Sequence, residues 1–453
     1  MRFIINTFKV IGVMLLLVLL AMPVLLTTID HTPVKQMPYY QDWKREIADF
    51  DAHTSDSVEN LRTGWAKINI TPDVPRSMAG YGKRSFKPYE SVNDSVYIRV
   101  MFLTNGLNKA FIVSSDLLIT PPSVVTLLEQ KLKATDIPID QIYFGATHTH
   151  SSVGGWGGKV TGMLFAGSYD AQIVENLAEA MFAAVIQARQ HPVETQVIYH
   201  EAIDSLHVRN RLVGSEGAID PEIRSIEFNT SNGSRAILST YAAHSTILSA
   251  SNMVLSRDFP GVLVDTLEGK QYDFAMYMAG AVGSMAPQVT GKDDLDRMKK
   301  QVQGIDSAMH NSVRVSTTQK QPVLQAATLK FPLREPTPRI SASWNVGLRT
   351  WVFKSLFGDY EPQIKVLRIG HILMVGMPAD YSGELIPELD IYAKSKGLDL
   401  IVTSFNGGYI GYVTPDRYYD RDLYETVIMN WYGPYNGAYS QEVIKDITDK
   451  FAD

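Results

Sequence analysis

Apolar and polar positions along this chain alternate, cluster and break in a way that lays out a succession of strands and helices. The first feature is an uncharged apolar run over residues 10–29, preceded by Arg2 and Lys9. Its length is about that needed to cross a bilayer. The cations on its N-terminal side predict that this end stays in the cytoplasm while the remainder is exported to the periplasmic or extracellular face. Leu20-Ala21-Met22-Pro23-Val24 makes a poor cleavage site, so residues 1–30 are expected to be an uncleaved transmembrane helix serving as a membrane anchor. Residues 31–63 are polar with scattered charge and read as a stalk or linker.

From Gly64 onward the pattern becomes that of a folded domain. Strand-like runs rich in β-branched and aromatic residues occupy 64–71, 96–103, 109–114, 142–146, 224–228, 236–241, 274–278, 366–369, 373–375 and 398–403. Helical spacing occupies 123–132, 257–268, 293–313 and 170–189, the last with Ile173, Leu177, Met181, Val185 and Ala188 on one stripe. The alternation predicts an α/β domain over 64–453, a mixed β-sheet core flanked by helices, with its site in the loops at strand ends. Residues 320–360, with several prolines and an apolar cluster at 344–357, break the pattern and read as an insertion or lid.

Composition narrows the chemistry. A formal net charge of -6 and a pI near 6.0 give no basic footprint, so nucleic acid is not an expected partner. The chain has no cysteine, which excludes disulfides, thiolate catalysis and cysteine-ligated zinc. A metal would be held by histidine, carboxylate or tyrosine.

Residues of those types stand at strand ends. The run 142–146 leads into Thr147-His148-Thr149-His150, followed by a glycine-rich loop that includes Gly154 and Gly155. Carried on as a strand, this order puts His148 and His150 on one face about 7 Å apart. The glycines leave the backbone free to approach a substrate. Asp116 follows the strand at 109–114, Arg211 sits in a loop, and His244 ends the strand at 236–241. Ser284 lies in a small-residue loop at 279–287, Asp380 and Glu384 follow the pair at 366–375, and Tyr409 and Tyr412 follow the last strand. His148, His150, His244, Asp380 or Glu384, Tyr409 and Tyr412 make a nitrogen and oxygen donor set that suits one zinc with an open position. Such a site implies hydrolysis by a metal-activated water. The H-x-H-x-D-H pattern of metallo-β-lactamases is absent, and several strands precede the H-x-H, unlike in amidohydrolase barrels.

Five motifs in order complete the picture: I-N-I-T-P with M-A-G-Y-G, then G-A-T-H-T-H-S-S-V-G-G, N-R, Y-A-A-H-S-T, and Y-I-G-Y-V-T-P followed by Y-E. Over about residues 67–437 the sequence resembles the catalytic domain of the neutral/alkaline, non-lysosomal ceramidases, zinc amidases that cleave the N-acyl bond of ceramide. The resemblance implies His148, His244, Asp380 and Tyr412 as zinc ligands, His150 and Arg211 as catalytic groups near the substrate, and Tyr409 and the Gly154-Gly155 loop as substrate-binding elements. It also implies a lipid-like or small amide substrate. The family's P-G-E turn is Pro378-Ala379-Asp380 here, and Ala286 stands at the family's serine, with Ser284 two residues earlier as the candidate to replace it. The family's following β-sandwich has no counterpart before Asp453. These departures admit two other readings: a hydrolase of a non-ceramide amide or ester on the same scaffold, and a non-catalytic surface binding protein. Oligomeric state is not readable.

Overall fold

The computed structural model describes residue 20 and residues 22–52, 59–84 and 86–452. Its organising element is a nine-stranded sheet among the described residues. The strands are β1 (Arg62–Asn69), β2 (Tyr97–Thr104), β3 (Lys109–Ser115), β4 (Ile142–Ala146), β5 (Val193–Ile203), β6 (Glu222–Thr230), β7 (Arg235–Tyr241), β8 (Phe274–Ala279) and β9 (Val313–Thr317). They run in the order β8-β7-β6-β5-β1-β2-β3-β4, with β9 paired to β5. Only β3 with β4 and β7 with β8 are parallel; the other pairs are antiparallel. The sheet curls until its end strands β4 and β8 touch. Gly145 permits this approach, since a Cβ there would lie 2.7 Å from the Met278 sulfur.

A second sheet carries β10 (Leu324–Lys330), β11 (Gln363–Ile369), β12 (Ile372–Gly376) and β13 (Asp399–Thr403), in that order. The two sheets face each other across a shared apolar layer. Period-two alternation explains this: Met101, Leu103 and Ile112 of the large sheet meet Leu367, Met374 and Ile401 of the small one, while Ile98, Val100 and Val113 point the other way. Helices close the outer faces. Of these, α1 (Pro38–Asp49) lies on the small sheet, α2 (Pro122–Leu132) and α3 (Ala171–Ala188) cover one half of the large sheet, and α4 (Asp258–Lys270) and α5 (Asp294–His310) cover the other half. The small sheet also carries α6 (Ile386–Ser395) and α7 (Asn436–Ala452). The expected mixed sheet flanked by helices is therefore present, as four layers.

Two expectations need correction, and a third falls largely outside the described residues. The stalk at 31–63 contains α1, which buries Tyr39, Trp43 and Ile47, spaced four residues apart, against α7 and the small sheet. Trp43 Nε1 donates to Asp446 at 2.8 Å and Tyr40 to Glu442 at 2.6 Å. Full burial of a side chain such as Ile47 is worth roughly 1.5–3 kcal/mol, so this segment belongs to the folded body. The segment 320–360 is not an insertion throughout, because it supplies β10. Most of the expected anchor lies outside the described residues, and its described end, Leu26–Thr28, is a strand paired with Val346–Leu348. Among the described residues no helix is long and apolar enough to cross a membrane.

Candidate metal centre

Strands of both sheets end on one side of the molecule, and the loops that follow them build a single buried cluster. His148 follows β4, His244 follows β7, and Asp380 follows β12. The strand reading of the H-x-H does not hold: β4 stops at Ala146, and His148 is left-handed at φ 59. The histidines converge nonetheless. The Nε2 atoms of His148 and His244 are 2.8 Å apart, and His150 Nε2 lies 3.1 Å from His148 and 3.2 Å from His244.

Hydrogen bonds behind the rings fix which nitrogens meet. His148 Nδ1 donates to the Leu118 carbonyl at 2.6 Å and His244 Nδ1 to the Val282 carbonyl at 3.3 Å. Those tautomers leave both Nε2 lone pairs facing the shared centre. Burial pushes the His148 imidazole down to about 3, and burial likewise holds His150 and His244 well below their ordinary value, with neighbouring positive charge adding to it. Neutral rings whose lone pairs face one another offer a cation a ready set of donors. Tetrahedral coordination at zinc distances puts ligand nitrogens about 3.3 Å apart, close to the spacing found.

Asp380 completes the set. Its Oδ1 is buried, has no hydrogen-bond partner and lies 3.6 Å from His148 Nε2. Its Oδ2 accepts from the Tyr409 hydroxyl at 2.6 Å. Burial raises its carboxyl to about 7, opposed by hydrogen bonds from the tyrosines and the charge of Arg211. Glu384, the other carboxylate considered, is engaged elsewhere by Asn210 and Tyr418. Tyr412 stands opposite Asp380 in a two-residue parallel pairing, and its oxygen accepts from Arg211 Nη2 at 2.9 Å. The donors could hold a metal ion, with His150 as near to the centre as the other two imidazoles.

The remaining expected residues fall in different places. Arg211 is held between Tyr412 and Glu425, whose Oε1 is 2.9 Å away. Ser284 is fully buried against Ser382, at 2.7 Å between hydroxyls, and does not line the cavity beside the cluster. Ala286 pairs with Arg209 in the short ladder that carries Arg211. Gly154 and Gly155 also lie off the cavity; they brace the loop against the Ala166 carbonyl, where a Cβ on Gly154 would lie 2.1 Å from that oxygen. Gly157 and Gly158 are the ones that line it. Asp116 ties the end of β3 to the start of β2, its Oδ2 accepting from Tyr97 N at 2.9 Å.

The cavity measures about 420 Å³. His148, His150, Asp380, Tyr409 and Tyr412 line it, and Trp156, Phe165, Phe353, Phe357, Trp431 and Tyr432 give it aromatic walls. Phe353 and Phe357 come from the helix Thr350–Phe357, so part of the expected lid is a wall. Sequence reasoning missed Phe405, whose ring stacks 4.0 Å from His148, and Glu425, although the Tyr-Glu motif contained it. Phe405 had no motif to mark it.

Comparison with known proteins follows from this geometry. No family model and no curated protein matches the sequence. Among solved structures, neutral ceramidase from Pseudomonas aeruginosa superimposes with a TM-score of 0.73 at 17% identity, over 86% of this chain and 74% of that one. A ceramidase complexed with C2 superimposes with a TM-score of 0.74 at 17% identity, over 86% and 75%. The chain has the neutral ceramidase fold. At this identity the likeness concerns the fold, and the chemistry of the cluster rests on the residues described above.

Proposed function

We propose that this chain is a zinc-dependent amidase that hydrolyses the N-acyl bond of a ceramide-like lipid. One zinc per chain would be held by His148, His244, Asp380 and Tyr412, with His150 beside them. The observation that carries the reading is the meeting of three imidazole nitrogens and a carboxylate oxygen without a hydrogen-bond partner at the foot of an apolar cavity. The shared fold supports the reaction class.

Bound zinc supplies Lewis acidity, polarising a carbonyl and making water more acidic near neutral pH. The chain's own residues do the rest. The aromatic walls bind an acyl chain and exclude water from the amide. Tyr409 holds Asp380 Oδ2, which leaves Oδ1 turned to the imidazoles. Arg211, fixed by Glu425, sets the Tyr412 hydroxyl and brings positive charge toward the developing oxyanion. His150, neutral at the start, is the group placed to take a proton from the attacking water and pass it to the leaving amine nitrogen. Ser284 has no part in this scheme. The uncharged run ahead of the domain supports attachment to a membrane on its exported side, beside a lipid substrate.

The test is to incubate the purified full-length chain with labelled ceramide and with soluble N-acyl amides. Release of fatty acid from ceramide, abolished by His148→Ala, is the expected result. Cleavage of soluble amides or esters alone would move the activity to another substrate on this scaffold. No cleavage and no bound zinc would leave a binding protein.

A further inference from the structure

Apolar side chains stand exposed on the elements that border the cavity. Two short helices, Val160–Ala166 and Thr350–Phe357, form the lip and are tied together where Thr161 donates to the Leu356 carbonyl at 3.0 Å. Each helix has two working faces. Thr161, Phe165, Phe353 and Phe357 line the cavity, while Leu164 and Trp351 point outward, exposed by 50% and 53%. Phe86, exposed by 52%, adjoins the same lip, since its amide lies 3.4 Å from where Gly167 would carry a Cβ.

Two independent features say what meets this surface. The first is charge: the chain is acidic overall, yet Lys83, Lys87, Lys159 and Arg349 stand exposed around these apolar side chains, and the acids at the same lip, Asp359 and Glu335, are paired with Lys354 at 3.1 and 3.5 Å. Aromatic and aliphatic groups ringed by basic ones are the composition of a surface that enters lipid headgroups. The second is connectivity. Leu26–Thr28 pairs with Val346–Leu348 immediately before the second lip helix, Arg349 N donates to the Leu25 carbonyl at 2.9 Å, and its guanidinium reaches the Pro23 carbonyl at 3.0 Å. The uncharged apolar run upstream of Leu25 therefore joins the body beside the second lip helix.

We propose that the lip is a membrane-docking face: Leu164, Trp351 and Phe86 enter the headgroup region of a bilayer, the basic side chains meet its phosphates, and the cavity opens toward lipid. This rests on the lipid-amide reading, because a lipid substrate is what gives the mouth reason to face a bilayer. The test is read without turnover, so the two can fail separately.

The absence of cysteine makes single labelling sites available. Full-length Leu164→Cys, Trp351→Cys and Ile391→Cys variants, the last at an exposed position on α6, would each carry an environment-sensitive fluorophore. They would be reconstituted into phosphatidylcholine/phosphatidylserine vesicles containing nitroxide-labelled lipid. Labels at 164 and 351 should shift to the blue and lose emission at least about twofold, while the label at 391 should not change. Equal quenching at all three positions, or quenching at none, would overturn the proposal. Quenching at the lip from a chain that cleaves no ceramide would keep the docking face and remove the assigned substrate.

Discussion

Among the described residues, two groups of side chains bring metal-ligating atoms close together, and they differ in what answers them. Around His148, His150 and His244 the lone pairs face one another and Asp380 Oδ1 is unpartnered, while Arg211 is engaged by Glu425 and Tyr412. Glu201, Glu222 and Asp390 also lie within ligand distance of one another. There, however, Lys394 sits 3.0 Å from Glu201 and 2.9 Å from Asp390, and Arg224 reaches Asp220 at 3.0 Å and Glu222 at 2.6 Å. Proximity of ligand-type residues does not define a metal centre. What separates the two is that Lys394 and Arg224 already stand among the carboxylates as their countercharge, although Asp390 Oδ1, like Asp380 Oδ1, has no hydrogen-bond partner.

The comparison breaks most visibly if the histidine cluster is altered. His148→Ala should lose bound metal and reduce amide hydrolysis by at least about three orders of magnitude, measured by metal analysis and initial rates, with the fold kept. The matching change in the other cluster should act on stability instead. Arg224→Leu leaves Asp220 and Glu222 without their cation and should cost about 3–5 kcal/mol in denaturant unfolding, with metal content unchanged. Loss of metal in that variant would erase the distinction drawn between the clusters.

Finer changes sharpen it. Gly80 lies against His150 at φ 116, and a Cβ there would lie 2.6 Å from the His150 Cα. Gly80→Ala should displace that imidazole and lower the rate about a hundredfold while zinc is retained. The smallest effect belongs to the sheet beside the ionic cluster. Burial of Glu227 pushes its carboxyl up, but hydrogen bonding to His200, Arg235 and Asn229 wins and holds it down at about 2, against an ordinary 4.5. Its folded value is depressed, so its contribution to stability is complete above 4.5 and is lost as pH falls toward 2. Melting temperature against pH over that window should fall less steeply in Glu227→Gln.

Much of the fold was legible because alternation is local. Met101 and Val100 reveal opposite faces of β2 without knowledge of any partner strand. The site was legible where motifs end strands, as at His148, His244 and Asp380. What escaped depends on distant chain. Nothing near α1 says that Trp43 finds Asp446 on α7, so polar surface residues around it suggested a stalk. Ser284 was chosen by its place beside a proline loop, yet its hydroxyl turns to Ser382. Phe405 reaches His148 only because β13 lies beside β12, a pairing that no local pattern announces.

The most direct test of the central claim is the metal content of protein purified without added metal. The account predicts one equivalent of zinc per chain, lost in His148→Ala and in Asp380→Asn and retained in Asp390→Asn. Metal-free protein, or zinc that survives in the first two variants and leaves in the third, would contradict it.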